Sequence, residues 1–274
     1  MTNQDLVFYF FEHAPYVDPT DTVDRLIFGD KYAEVDKVVV TWMCDIPAIE
    51  YARSIGAATI ITHEPTFYNT FDLNTFDMEH EKNIWAEDYY KWKMIQSKRD
   101  LLERSGISVI RNHDVWDRFP EWGIPFSWAR HLGLKNMVSG DPTGYQYRYD
   151  IEPVTLKDFA NKAAERIKPL GEEHIAYFGD DNALVSRIGV GTGCACAIEL
   201  FYELGCDLSI ICDDDYLSSF WREISWALDA GHPVVRVAHC TAEEPGMQSL
   251  TEYINGRLPI NASYFRSAGR YKFI

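Results

Sequence analysis

A strand, helix, strand pattern near the start of the chain constrains the fold more than any other feature. The β-branched run Val38 to Trp42 predicts a buried strand, and Asp45 is typical of the residue that begins a helix. The helix is expected over Ala48 to Ile55 and ends at Gly56, after which Ala58 to Thr62 predicts a second strand. Strands joined by a helix run parallel in one sheet, so the pattern predicts an α/β fold.

The same pattern returns in the second half of the chain. Ile188 to Val190 predicts a strand, Ala197 to Leu204 a helix and Leu208 to Ile211 another strand. Aligning the two units places Cys212-Asp213 opposite His63-Glu64. This match indicates a degenerate internal repeat, with chance likeness between two ordinary β-α-β units as the alternative.

A change in composition between Asn136 and Val154 predicts the boundary between two halves. The stretch is polar and rich in turn residues, which is typical of a linker. We therefore expect an N-terminal α/β half over residues 1–138, carrying the first metal-ligand corners, and a C-terminal half over residues 139–274 that completes the metal site. A closing helix is predicted over Met247 to Ile254.

Charge and composition exclude several classes of protein. The 274 residues include 26 basic and 42 acidic side chains, a formal net charge of −16 that repels nucleic acid. Lys91, Lys93, Lys98 and Arg99 are predicted to form the solvated face of a helix. The sequence shows no targeting segment and no stretch that would span a bilayer. Its six cysteines do not have the spacing typical of small disulfide-rich domains. We therefore expect a reduced, cytoplasmic protein.

Three further motifs leave alternatives open. Gly189, Gly191 and Gly193 predict a tight turn with close backbone approach rather than a dinucleotide site, although helix-start amides there can also bind phosphate. Cys194-Ala195-Cys196 is interpreted as buried thiols rather than a metal or redox pair. The aromatic stretch Thr66 to Tyr90 serves packing or forms one wall of a pocket.

Potential metal ligands follow three predicted strands, at the sheet edge where α/β proteins place ligands. Each side chain alone is more typical of a cap, a turn or a solvated surface position. Together they supply imidazole and carboxylate donors that suit Zn, Mn, Fe, Co or Ni, in a number that exceeds one structural tetrahedral ion and points to two ions sharing a carboxylate. The candidates are His63 and Glu64, His113 and Asp117, and His239 and Glu243.

These motifs resemble the NIF-three-like family, whose members are also called GTP cyclohydrolase 1 type 2 homologues or dinuclear-metal-centre hexameric proteins. The resemblance covers most of the chain, and its specificity comes from the order and spacing of the motifs. The matching segments are Thr22 to Asp30, Ile61 to Pro65, His113 to Asp117, Trp128 to Leu134 and Ala238 to Gly246.

The resemblance implies a duplicated three-layer α/β/α fold of two similar, intertwined domains, a toroidal homohexamer and a pair of divalent ions. It does not imply the inserted domain of the long members, for which this chain has no room. Carried over by position, His63 and His239 hold one ion, Glu64 and Asp117 the other, and Glu243 bridges them, with His113 as an alternate ligand or a neighbour.

Position 64 departs from the family pattern. The family corner reads His-His-Pro, whereas this chain has His63-Glu64-Pro65, so an anionic oxygen replaces a neutral nitrogen. That favours harder ions such as Mn, Mg or Fe over Zn, although the sequence does not distinguish among these four. The family's later Gly-Glu pair is replaced by Cys212 to Asp215, whose acids serve the pocket or cover a strand end.

Two main functions fit this site. The first is a metal-dependent hydrolase of a small, nucleotide-like substrate, in which Glu243 or His113 moves the proton. The second is a non-catalytic metal-binding oligomer that acts as a metal chaperone or a regulatory interaction protein. A metal-free α/β scaffold is a third interpretation.

Overall fold

The computed structural model describes residues 1–68, 72, 93–191, 193, 196–213 and 220–269. The chain forms two compact units, each built from two separate stretches. The first contains Met1–Trp116 and Leu250–Phe265, and the second contains Asp117–Ser249 and Arg266–Ile274. These bounds differ from residues 1–138 and 139–274, and the division into those halves stays a prediction.

The helices and strands alternate as the α/β prediction requires. The described helices are α1 (Asn3–Glu12), α2 (Ile46–Ser54), α3 (Lys93–Ser105), α4 (Asp114–Asp117), α5 (Ile124–His131), α6 (Leu156–Ile167), α7 (Ile198–Glu203), α8 (Phe220–Ala230) and α9 (His239–Arg257), with a 3-10 turn at Lys168–Leu170. The strands are β1 (Arg25–Phe28), β2 (Lys37–Met43), β3 (Thr59–Glu64), β4 (Ser108–Arg111), β5 (Asn136–Ser139), β6 (Tyr147–Thr155), β7 (Ala176–Phe178), β8 (Leu184–Val190), β9 (Leu208–Asp213), β10 (Val234–Ala238) and β11 (Asn261–Phe265).

The first unit contains a five-stranded sheet in the order β1-β4-β3-β2-β11. β4, β3, β2 and β11 are parallel and β1 is antiparallel, which confirms the predicted β2-α2-β3 unit. β11, which was not predicted from the sequence, pairs with β2 through Ala262 and Val38. Val38 to Val40 are fully buried, so this sheet forms the centre of the unit.

The second unit contains a six-stranded sheet in the order β5-β6-β8-β9-β10-β7, in which β8, β9 and β10 are parallel. The linker prediction for Asn136 to Val154 is wrong, because β5 and β6 pair there as a hairpin. Asp141 supplies the turn, accepting a hydrogen bond from the Thr143 amide at 2.9 Å. Turn residues are as typical of hairpins as of linkers, so composition alone did not separate the two.

The two helices that join parallel strands end in the same way. Gly56 follows α2 with φ +69°, and the Ala57 amide donates to Ala52 at 2.9 Å. Gly205 follows α7 with φ +74°, and the Cys206 amide donates to Phe201 at 3.0 Å. Glycine adopts this left-handed conformation at least cost, and the shared ending agrees with the repeat found in the sequence.

Lys98 is not on a solvated face, and that part of the prediction is wrong. It lies on the apolar stripe of α3 with Ile95 and Leu102 and is fully buried. Its Nζ donates to the Thr66 carbonyl at 2.5 Å and lies 4.1 Å from the centre of the Tyr68 ring. A buried ammonium group persists where such partners replace its hydration. Lys91 lies outside the described residues.

The five cysteines among the described residues are free thiols, and Cys194 is not among these residues. Within the same part of the chain, no helix is both long and apolar enough to cross a membrane.

Candidate metal centre

In the first unit, the end of β3 and the residues after β4 bring three potential ligands together. β3 ends with His63 and Glu64, and the parallel pairing of Thr62 with Arg111 places His113 beside them. The rings of His63 and His113 are stacked, with centroids 4.4 Å apart and an interplanar angle of 17°. One donor atom from each of His63, Glu64 and His113 lies within 4.8 Å of the others. The three residues therefore form a group that can hold a metal ion.

The orientation of His63 suits metal binding. The side chain is fully buried, and its Nδ1 lies 3.3 Å from the Asn112 carbonyl oxygen. Since a carbonyl only accepts hydrogen bonds, Nδ1 carries the proton in this contact. Nε2 then offers the lone pair that a metal requires, which is the usual arrangement of a ligating histidine.

Arg111 contacts both His63 and Glu64 and holds them in place, a role that was not predicted from the sequence. Its guanidinium is buried, with Nε donating to the His63 carbonyl at 3.1 Å. The other nitrogens lie 3.7 Å from Glu64 Oε2 and 3.8 Å from Asp72 Oδ2. Burial raises the pKa of Asp72 to about 6, although the charge of Arg111 opposes the rise. Arg111 thus provides the countercharge for two carboxylates.

A carboxylate fixes the orientation of His113. Its Nδ1 lies 2.8 Å from Asp114 Oδ1, and Thr22 Oγ1 donates to the other oxygen of Asp114 at 2.7 Å. Burial alone would raise the pKa of Asp114, but the hydrogen bond and charge of His113 outweigh it and hold that pKa well below its usual value. An ionised carboxylate only accepts, so Nδ1 carries the proton and His113 Nε2 faces Glu64 Oε1 at 3.9 Å.

Asp24 caps the turn that carries His113, a second role that the sequence did not reveal. Its buried carboxylate accepts from the amides of His113, Asp114 at 3.2 Å and Val115 at 2.7 Å. Burial, followed by the charge of Asp114, raises the pKa of Asp24 to about 6. Asp24 belongs to the opening segment of the family resemblance, which was the available signal.

In the second unit, His239 and Glu243 form a pair on α9. The helix begins at His239, directly after β10, so residues four apart lie on one face, and His239 Nε2 is 3.0 Å from Glu243 Oε1. The prediction that a helix begins only at Met247 is wrong. Pro245 lies inside the helix, and Gly246 packs so closely on Ile124 that an added Cβ would lie 2.3 Å from its Cδ1.

Gly193 lies directly over this pair. Gly193 has φ +41°, and a Cβ there would lie 2.6 Å from His239 Nε2 and 3.1 Å from Glu243 Oε1. Only glycine fits this approach, which agrees with the predicted tight turn.

The remaining candidates are placed as follows. Asp117 is the last residue of α4 and is buried in the second unit. Phe67 of the aromatic stretch is fully buried, so it serves packing, whereas most of that stretch lies outside the described residues. Asp213 ends β9, and Asp214 and Asp215 are likewise outside the described part of the chain.

The donor sets fit divalent metal ions. His63, Glu64 and His113 in one unit, and His239 with Glu243 in the other, offer only imidazole nitrogen and carboxylate oxygen. Such donors suit Zn, Mn or Fe more than thiolate-seeking ions. The residues present therefore agree with the metal chemistry expected from the sequence.

Comparison with known proteins identifies the family. A curated GTP cyclohydrolase 1 type 2 homolog from Clostridium perfringens is 23% identical over 257 residues, covering 88% of this chain and 86% of that protein. A Staphylococcus aureus hypothetical protein has a TM-score of 0.76 at 16% identity, covering 100% of this chain and 99% of the other. A Bacillus cereus protein related to NIF3 gives 0.75 at 13%, with the same coverage. The profile of Duf34/NIF3 (NGG1p interacting factor 3) matches residues 18–267, and the chain therefore belongs to the Duf34/NIF3 family.

Proposed function

We propose that this protein binds two divalent metal ions and hydrolyses a small substrate. The observation that carries the proposal is the clustering of His63, Glu64 and His113, whose donor atoms lie within 4.8 Å of one another. The proximity of His239 and Glu243 supports it. The proposed ligands are those of the family resemblance, namely His63, Glu64, Asp117, His239 and Glu243, with His113 as an alternate ligand or a neighbour.

The protein side chains would move the proton and hold the ligands in place. When bound, divalent ions activate water for attack and polarise the bond to be broken. Asp114 accepts from His113 Nδ1, so in the neutral ring the lone pair is on Nε2, which is suited to accept a proton from an attacking water. Glu243 is the alternative proton acceptor, and it is almost fully buried. Arg111 holds Glu64 in position.

The substrate is proposed to be small, with a nucleotide-like ring as one candidate. The support for a nucleotide is the name of the Clostridium perfringens relative, a GTP cyclohydrolase 1 type 2 homolog. The net charge of −16 disfavours a highly charged polyphosphate. A hydrolysis screen should therefore compare nucleosides, nucleotides, phosphoesters and cyclic amides at matched concentration.

The proposal is tested by metal content and turnover together. Elemental analysis of purified protein is expected to find about two ions per chain, and the screen to find a substrate whose hydrolysis is lost on chelation. Glu243→Gln is expected to lower metal content and to reduce turnover about 100-fold or more. Glu252→Gln is the matched control, because Glu252 lies exposed on the same helix. Full metal content and wild-type turnover in Glu243→Gln would overturn the mechanism.

A second candidate is a metal-binding oligomer that acts as a chaperone or through protein partners. The family description, NGG1p interacting factor 3, is the observation that favours it. It predicts tightly bound metal without turnover across the screen, and transfer of metal to an apo-protein acceptor. Under either candidate function, the family resemblance implies that the protein is a homohexamer. Light scattering tests this, and a monomer at micromolar concentration would contradict it.

A further inference from the structure

Two buried thiols of the second unit are in contact. Cys212 lies near the end of β9, and Cys196 lies between β8 and α7. The Cys196 thiol points to Cys212, with their sulfurs 3.7 Å apart, and the side chains are 3% and 9% exposed. The sulfurs therefore touch at van der Waals distance, and nothing in the proposed hydrolysis uses them.

The surroundings place this pair at the ligand-bearing edge of the sheet. Cys212 pairs with Val237 on β10, two residues before His239. In the internal repeat Cys212 occupies the position that His63 holds at the end of β3. Gly191 makes room for the other thiol, since a Cβ there would lie 3.1 Å from Cys196 Sγ. The two sulfurs are thus enclosed by backbone that positions them against each other.

We propose that Cys196 and Cys212 form a redox-active dithiol site that reacts with small-molecule disulfides such as glutathione disulfide. Cys212 is the more exposed thiol and attacks first, forming a mixed disulfide and releasing one glutathione thiol. Cys196 then attacks the Cys212 sulfur and releases the second glutathione. Two protein thiols lose two electrons to form one S–S bond, and the oxidant gains them as two thiols, with the two cysteine protons passing to the glutathione thiolates.

The bond would join Cys196, which lies between β8 and α7, to Cys212 near the end of β9. The two cysteines are 16 positions apart, so the disulfide closes a short loop of residues 196–212. Gly193, which lies against His239 and Glu243, is three residues before Cys196 and stays outside this loop. Oxidation is therefore expected to raise the melting temperature of the whole chain by several degrees, because the closed loop restricts the unfolded state.

The test is a redox equilibrium in glutathione buffer, followed by alkylation and peptide mapping. Hydrogen bonding from Cys196 and burial raise the pKa of Cys212 well above its usual value, so incubation is long enough to reach equilibrium. We expect the alkylated thiol count to fall by two and one peptide pair to link Cys196 with Cys212. Cys206→Ser is the matched control, since this buried cysteine of the same unit has no thiol partner in the proposed site, and the link should persist.

Two outcomes would overturn the proposal. One is a thiol count that stays unchanged in wild-type protein at excess glutathione disulfide. The other is a link that maps to Cys194 or disappears in Cys194→Ser. Both outcomes are measured on wild-type protein or on a variant that keeps Cys196 and Cys212. The result therefore does not depend on whether a variant that lacks one of these two cysteines can fold. Metal content and turnover are not part of the readout, so it is independent of the proposed hydrolysis.

Discussion

At the scale of single residues, paired buried charges distinguish the group formed by His63, Glu64 and His113 from an ordinary strand end. Arg111 is 3% exposed and faces both Glu64 and Asp72, and Asp24 caps the turn that carries His113. Unpaired charges at such depth would be costly, whereas these are held by opposite charges or by several amides. The ligand positions therefore depend on residues that bind no metal themselves.

The identity of residue 64 is expected to set the metal preference. Glu64→His restores the corner expected from the family and replaces an anionic oxygen by a neutral nitrogen, which favours zinc. We expect the ratio of bound zinc to bound manganese, measured after equilibration with equal amounts of both, to rise about tenfold or more. Glu64→Gln removes the same charge without adding nitrogen, and an equal rise in that variant would count against the explanation.

His232 is expected to make stability depend on pH away from the metal corner. Its ring is buried and Nε2 lies 2.8 Å from Ser209 Oγ, and burial lowers its pKa below the usual 6.5. In the unfolded chain His232 binds a proton near pH 6.5, whereas in the native chain it binds one only at lower pH. The free energy of unfolding therefore falls as pH drops below that value.

The free energy of unfolding of His232→Gln is therefore expected to fall less steeply at acid pH than that of wild type, by up to about 1.4 kcal/mol per pH unit. Urea unfolding of both proteins at about pH 7.5 and 5.5 measures the difference. His174→Gln, at an exposed position, is the control and should behave as wild type. Parallel pH curves for wild type and His232→Gln would show that the prediction is wrong.

At the scale of elements, the junction between a strand and the next segment places the ligands. β3 ends on His63 and Glu64, and β10 ends where α9 begins with His239. A strand delivers single residues to the sheet edge, whereas a helix presents residues four apart on one face. This difference explains why the two ligand groups have different sequence spacing.

The close approach of the glycine-rich turn is expected to be essential for the α9 pair. Gly193→Ala would place a Cβ 2.6 Å from His239 Nε2, so the pair must shift and metal affinity should fall about 10-fold to 100-fold. Gly231→Ala is the matched control, because its φ is also positive, +60°, but nothing lies within 4 Å. Both variants carry the backbone strain of about 1 kcal/mol, and only the first should lose metal in a competition titration. An equal loss of metal affinity in Gly193→Ala and Gly231→Ala would show that backbone strain alone causes the effect.

At the scale of the whole molecule, each unit has its own sheet and its own hydrophobic core. Trp128, Phe201 and Ile210 belong to the core of the second unit, and Ile49, Ile60 and Leu102 to that of the first. Because burial of these apolar side chains does not itself require a metal ion, bound ions are expected to add to stability rather than to be required for folding.

Removal of metal is therefore expected to lower the melting temperature without unfolding the protein at room temperature. If free metal is about 100 times the Kd of one site, binding at that site adds about 2.7 kcal/mol. For a chain of this length that corresponds to roughly 5 to 10 °C. Thermal unfolding with and without a chelator measures the shift, and Glu243→Gln should show little of it. An unchanged melting temperature in wild type, with no metal detected, would favour the metal-free scaffold.

The sequence determined the elements that depend on local chemistry. Asp45 caps α2 through the Ala48 amide at 2.9 Å, and Gly56 follows the end of α2, both as predicted. β-branched runs and glycine stops act within a few residues, so they can be recognised from sequence. The family motifs and the three strand ends with ligand chemistry were found for the same reason.

Only the tertiary structure decided which distant groups meet. The burial of Lys98, the pairing of β11 with β2 and the start of α9 at His239 depend on partners far away in sequence. The contacts of Arg111 with Asp72 and of Cys196 with Cys212 are of the same kind. Local propensity and periodicity carry no information about such pairs, because their energy comes from burial and charge compensation that exist only once the chain is packed.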